Sequence, residues 1–107
     1  MKQGHIEKAL KHALESIRIN PENSDAYYNL GKIYSNLGDN TQAIRAYQAA
    51  ITTNPGNANA YLKLTMLFLE AGDRASASEM YRILELIDPD KARFIQPSQS
   101  LITLPSK

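Results

Sequence analysis

Residues 24–57 read SDAYYNLGKIYSNLGDNTQAIRAYQAAITTNPGN, and residues 58–91 read ANAYLKLTMLFLEAGDRASASEMYRILELIDPDK. Laid over one another without a gap, these segments share eight residues: Ala26/Ala60, Tyr27/Tyr61, Leu30/Leu64, Gly38/Gly72, Asp39/Asp73, Ala43/Ala77, Tyr47/Tyr81 and Pro55/Pro89. Ordinary residue usage gives about two such identities by chance. Tyr34/Phe68 adds an aromatic pair. The shared residues are those a helix pair needs: large anchors, small residues for close approach, and turn formers. A period of this length marks a repeat array, whose units bury apolar surface by stacking on their neighbours.

The same register runs upstream. Segment 4–23 matches 38–57 at Gly4/Gly38, Ala9/Ala43, Ile17/Ile51, Asn20/Asn54, Pro21/Pro55 and Asn23/Asn57. The repeat domain therefore covers 1–91, with a half repeat (second helix only) at 4–23 and full repeats at 24–57 and 58–91. A tail follows at 92–107.

Each full repeat reads as two helices. Tyr27, Leu30, Gly31 and Tyr34 recur at three- and four-residue steps and share one helical face. Gly38 suits a left-handed helix end, and Asp39 suits the N-cap of the next helix. Ala43, Tyr47, Ala50 and Ile51 form the face of the second helix. Pro55 ends it, because proline disfavours helical geometry in the residue before it. Gly72-Asp73 and Asp88-Pro89 repeat this punctuation. Five helices are expected near 4–19, 24–37, 40–53, 58–71 and 74–87. Loops this short force neighbouring helices to run antiparallel.

Tyr27-x-x-Leu30-Gly31-x-x-Tyr34, then Ala43-x-x-x-Tyr47, Ala50 and Pro55, resembles the tetratricopeptide repeat, with tyrosine in the usual tryptophan slot. The second copy keeps Tyr61, Leu64, Phe68, Gly72, Ala77, Tyr81 and Pro89. The resemblance covers residues 4–91. It implies an all-α fold, a right-handed superhelical array of antiparallel helical hairpins, with the first helix of each repeat lining a concave groove. Two residues depart from the pattern. Thr65 replaces a small residue, and Leu84 stands where the first repeat has Ala50. Either the last two helices stand further apart, or Thr65 bonds to its own helix backbone.

Composition narrows the function. The 107-residue chain carries 12 basic and 11 acidic residues, a net charge of +1, so bulk electrostatics imply neither a nucleic-acid nor a membrane partner. Its lack of cysteine excludes disulfide and thiolate chemistry. The polar start, Met1–Leu10, lacks the apolar stretch of a signal peptide, and a cytoplasmic location is expected. His5 and His12 are seven residues apart, whereas a helical zinc pair wants a spacing of four. No phosphate loop, nucleophile elbow or paired-carboxylate cleft is visible. No catalytic residue, cofactor or metal is expected, and the chain is read as a binding protein, not an enzyme.

Helical phase locates the groove surface. Asp25, Asn29, Lys32 and Asn36 form a stripe about 100° from the core face of the first repeat. The second repeat carries Asn59, Lys63, Met66 and Glu70, and Tyr28 and Leu62 border the two stripes. Amides can pair with the backbone of an extended peptide, lysines can meet a carboxylate, and Tyr28 and Leu62 can give apolar contact. In relatives that clamp a C-terminal carboxylate, an asparagine and a basic residue hold the slots of Asn29 and Lys63. The match is partial, since those relatives also use an earlier first helix. The tyrosines recur at core slots without a basic stripe, so they are read as packing and not as a platform for bases.

The expected function is a protein–protein interaction scaffold that binds an extended peptide or partner segment in its groove. The alternatives are a substrate-positioning repeat module of a larger enzyme and a self-assembly element with an idle groove. Association between copies is also expected, because Ile6, Leu10, Ala13, Leu14 and Ile17 at one end, and Met80, Ile83, Leu84 and Ile87 at the other, need partners. Two readings of the tail stay open: a disordered end, or a cover in which Phe94, Ile95 and the run Leu101–Leu104 seal the last helix.

Overall fold

The computed structural model describes residues 3–95. These form α1 (Gln3–Ile19), α2 (Ser24–Asn36), α3 (Asn40–Thr53), α4 (Ala58–Glu70), α5 (Arg74–Ile87) and the single-turn α6 (Pro89–Ala92). The fold is all-helical, and the five long helices fall where the punctuation places them. The first helix of each full repeat ends one residue early. Gly38 and Gly72 take φ values of 81° and 79°. The Asp39 N–H reaches the Tyr34 carbonyl at 2.9 Å and the Gly38 N–H reaches that of Ser35 at 3.0 Å. The Asp73–Phe68 and Gly72–Leu69 bonds, 2.9 and 3.1 Å, repeat this closure. Both are Schellman ends, in which a left-handed residue satisfies the last carbonyls.

The caps follow at once. An Asp39 carboxylate oxygen accepts from the Gln42 N–H at 3.2 Å, and Asp73 accepts from Ser76 at 3.1 Å. The Ser76 bonds hold the Asp73 carboxyl below its ordinary value. Asn23 caps α2 through the Ala26 N–H, and Asp88 caps α6 through that of Lys91, each at 3.1 Å.

The chain divides into two compact units, Met1–Asn57 and Ala58–Lys107, and the division falls on the boundary between the full repeats. In the first unit α2 and α3 form an antiparallel hairpin. Ala43 and Ala50 are fully buried and Tyr47 nearly so. Gly31 and Ala43 are small residues expected at the closest helix–helix contact, and Gly31 does lie at such a contact, against the Tyr47 ring. A Cβ on Gly31 would lie 2.6 Å from two of the ring carbons. The glycine is there to admit an aromatic face, not a second small residue. Ser24 ties the hairpin's open end: its hydroxyl donates to the Ala50 carbonyl at 2.7 Å and accepts from the Asn57 amide at 2.8 Å. α1 packs on this hairpin through Ile6 and Ala13, which cluster with Leu30, Ile33 and Ala46 and draw in Leu10 and Ile17. Leu14 stays outside the cluster and is 47% exposed.

In the second unit α4 and α5 form the matching hairpin around Leu64, Thr65, Ala77 and Leu84, all fully buried. Thr65 satisfies its hydroxyl within its own helix, donating to the Tyr61 carbonyl at 2.8 Å. α6 turns the chain back so that Ala92 and Ile95 are buried, and Ile95 packs on Ala77 with Leu62, Phe68, Leu69 and Tyr81 around it. Of the two residues named for a cover, Ile95 packs inward on this cluster, whereas Phe94 is 71% exposed. The Leu101–Leu104 run lies outside the described residues.

Candidate interaction site

The stripe of α2 becomes one wall of a cleft. Asp25, Asn29, Lys32 and Asn36 line a cavity of about 430 Å³ between α1 and α2. α1 supplies the facing wall through His12 and Ser16, and Ala9, Ala13, Ala26 and Ile33 line it as well. The cleft exists because three of these residues are alanines, whose short side chains lie below longer polar neighbours. It is apolar at its base and polar at its rim, the usual make-up of a recognition site.

Two charges on this rim are held but not neutralised. Lys32 places its ammonium 5.5 Å from the centre of the Tyr28 ring. A contact of this kind contributes about 0.5–1 kcal/mol at an exposed site. Tyr28 in turn leans on Tyr47, with ring centres 5.6 Å apart and planes at 48°. Burial pushes the Tyr28 phenol up, and pushes the Tyr47 phenol well above the ordinary range. Asp25 sits in the first turn of α2, where its carboxylate complements the helix dipole. The ion pairs among the described residues join Glu15 to Arg18, Asp88 to Lys91 and Asp90 to Arg93, so Asp25 and Lys32 have no salt partner there.

The sequence-derived site is thus brought together only in part. The four stripe residues of α2 line one cavity. Tyr28 is half-buried, with the Lys32 ammonium over its ring. On α4, in the second unit, Asn59, Met66 and Glu70 are exposed and Lys63 is half-buried. Leu62 is half-buried and packs against the Ala77–Ile95 cluster. The α1 wall was missed by sequence reasoning. The signal for it was Ala9 and Ala13, small residues one turn apart, with His12 and Ser16 beside them.

The remaining candidates resolve simply. Tyr47 and Tyr61 are buried, and Tyr27, Tyr34, Phe68 and Tyr81 are half-buried, as packing residues should be. His5 and His12 are exposed, and the described residues hold no group of three metal-binding side chains. No helix among them is long and apolar enough to cross a membrane.

Comparison with known proteins bears on the family and the fold. Residues 24–57 match the tetratricopeptide repeat family, and residues 1–38 match the TPR repeat family. No curated protein matches the chain. Among solved structures, a crystal structure of MamA superposes with a TM-score of 0.76 at 28% identity, covering 83% of this chain and 52% of that one. A second MamA crystal structure gives 0.74 at 24% identity, covering 92% and 57%. The chain spans about half the length of these structures. The two family matches run together over residues 1–57, more than half of the chain, and repeats of this type support a protein-interaction scaffold. With its all-helical hairpins and 34-residue period, the chain belongs to the tetratricopeptide repeat family.

Proposed function

We propose that the first unit binds an extended segment of a partner protein in the cleft between α1 and α2. The observation that carries this reading is the placement of Asn29, exposed midway along the polar wall of the cleft. Its amide offers both donors and an acceptor, which is what the free backbone of an extended peptide requires. The alanine-lined base gives room for one apolar side chain of the ligand, and Lys32 and Asp25 supply charge at the rim. The role is that of an interaction module, and it is assigned to this segment, which spans half of the structures it resembles.

Asn29→Ala tests the reading. The immobilised chain is exposed to an array of capped, proline-spaced peptides, and the variant should lose about tenfold in affinity while its melting temperature stays put. Undiminished capture by Asn29→Ala, together with loss on replacing Arg45 or Glu79, would put the interaction elsewhere on the surface and overturn the proposal.

A further inference from the structure

The two unpaired charges of the cleft carry more than a binding site: they give it a direction. Asp25 and Lys32 are seven residues apart on α2 with Asn29 between them, and all three line the same cavity. Seven residues of α-helix rise about 10 Å. A peptide in the polyproline II conformation advances about 9 Å in three residues, and three residues is also its turn, so side chains at that spacing share a face. The backbone rise between the two charged residues of the wall is therefore close to one turn of such a ligand.

Resting on the reading above, we infer that the cleft selects a dipolar extended segment, with a basic side chain three residues from an acidic one and an apolar side chain between them. The basic group meets Asp25 near the turn that joins α1 and α2, and the acidic group meets Lys32 further along the helix. The intervening apolar side chain enters over Ala13 and Ala26, and the ligand backbone passes Asn29. Charge complementarity is the ground for this choice of occupant. Neither Asp25 nor Lys32 has an ion-pair partner within the described residues. The ammonium of Lys32 is moreover held over the Tyr28 ring, so less side-chain freedom is lost when a carboxylate arrives. An all-acidic segment would set a carboxylate against Asp25, and an all-basic one would set an ammonium against Lys32. Each would suffer a like-charge contact that the dipolar segment avoids.

The test uses the full chain and four capped proline-rich peptides of equal length, carrying Lys-Leu-Pro-Glu, its charge-reversed partner Glu-Leu-Pro-Lys, an all-Glu form and an all-Lys form. Because an extended peptide can enter a cleft from either end, the decisive comparison is between the dipolar pair and the single-sign pair, read by titration at low and at high salt. Exposed pairs of this kind predict a preference of about five- to tenfold for the dipolar peptides at low salt, fading as salt rises. The Lys32→Glu variant should shift that preference to the all-Lys peptide, with helicity unchanged by circular dichroism. Equal binding of all four peptides by both proteins overturns the charge inference and leaves the peptide-binding reading intact. Binding of none of them overturns both.

Discussion

The two full repeats fill the same space by different means. In the first, Gly31 leaves room for Tyr47, which is 1% exposed, and Ala50 completes the contact. In the second, the equivalent positions are Thr65, Tyr81 and Leu84. Thr65 and Leu84 are both fully buried, and Tyr81 is left half-buried, packed beside Ala77 and Ile95. Volume removed from the tyrosine slot has been returned through the threonine and the leucine. At the slots of Gly31 and Ala50 the repeat tolerates different residues as long as the hairpin interior is filled, in keeping with the close packing of protein interiors. The same trade explains the hydroxyl of Thr65. A buried polar group must be satisfied, and Thr65 does this against the Tyr61 carbonyl without a partner from α5.

Three measurements would break or sharpen this comparison. The largest effect belongs to Leu84→Ala, which imports the first repeat's residue without its tyrosine. It should open a cavity and cost about 2–5 kcal/mol in denaturant unfolding. A cost below about 1 kcal/mol would mean that Leu84 is not what fills the second hairpin.

The reverse import is Gly31→Thr. Its Cβ would collide with the Tyr47 ring, and the expected cost is about 1–3 kcal/mol. Adding Tyr47→Leu should return part of that loss. The two sites touch, so a double-mutant cycle should show coupling of about 0.5 kcal/mol or more. Strict additivity would remove the volume-trade account.

The smallest effect is an alkaline one. Burial raises the Tyr47 phenol, with the neighbouring Tyr28 adding to the shift. Below about pH 10 the phenol is protonated in both the folded and unfolded chain, and its contribution to stability is complete. As pH rises above that value, the unfolded chain releases the proton first, so folding stability must fall. Tyr47→Phe should flatten this alkaline decline, measured as melting temperature against pH between about 9 and 11, and leave the slope near neutrality unchanged. Tyr81 is raised as well, by burial and by the Glu85 carboxylate, so some decline should remain in the variant.

Much of the fold was legible because its signals are local. Gly38 with Asp39, and Gly72 with Asp73, each determine a helix end and the next helix start within a few residues, and a 34-residue copy confirms the assignment. The Asp25, Asn29, Lys32 and Asn36 stripe was legible for the same reason, since helical phase alone assigns a face. What escaped depends on which helix comes to lie opposite. Gly31 was legible as a close-contact residue, but the ring it faces, sixteen residues away in sequence, was not. Leu62 and Phe94 are apolar residues whose burial is decided by where α6 turns, and nothing in their own neighbourhoods encodes that. α1 looked like half a repeat in need of cover, yet its alanines, with His12 and Ser16, made it the second wall of the cleft.

The stack running from Lys32 through Tyr28 to Tyr47 also gives the molecule an optical property. The chain has six tyrosines, two phenylalanines and no tryptophan, so its near-ultraviolet absorption and emission are dominated by phenol rings. Tyr28 touches the cleft's cation on one side and the most enclosed chromophore of the first unit on the other. Anything that draws the ammonium off its face changes the local field at that ring, while the tilted contact with Tyr47 makes it a chiral pair visible in near-ultraviolet circular dichroism. The protein thus carries its own label at the lip of the cleft, readable without dye, tag or added fluorophore.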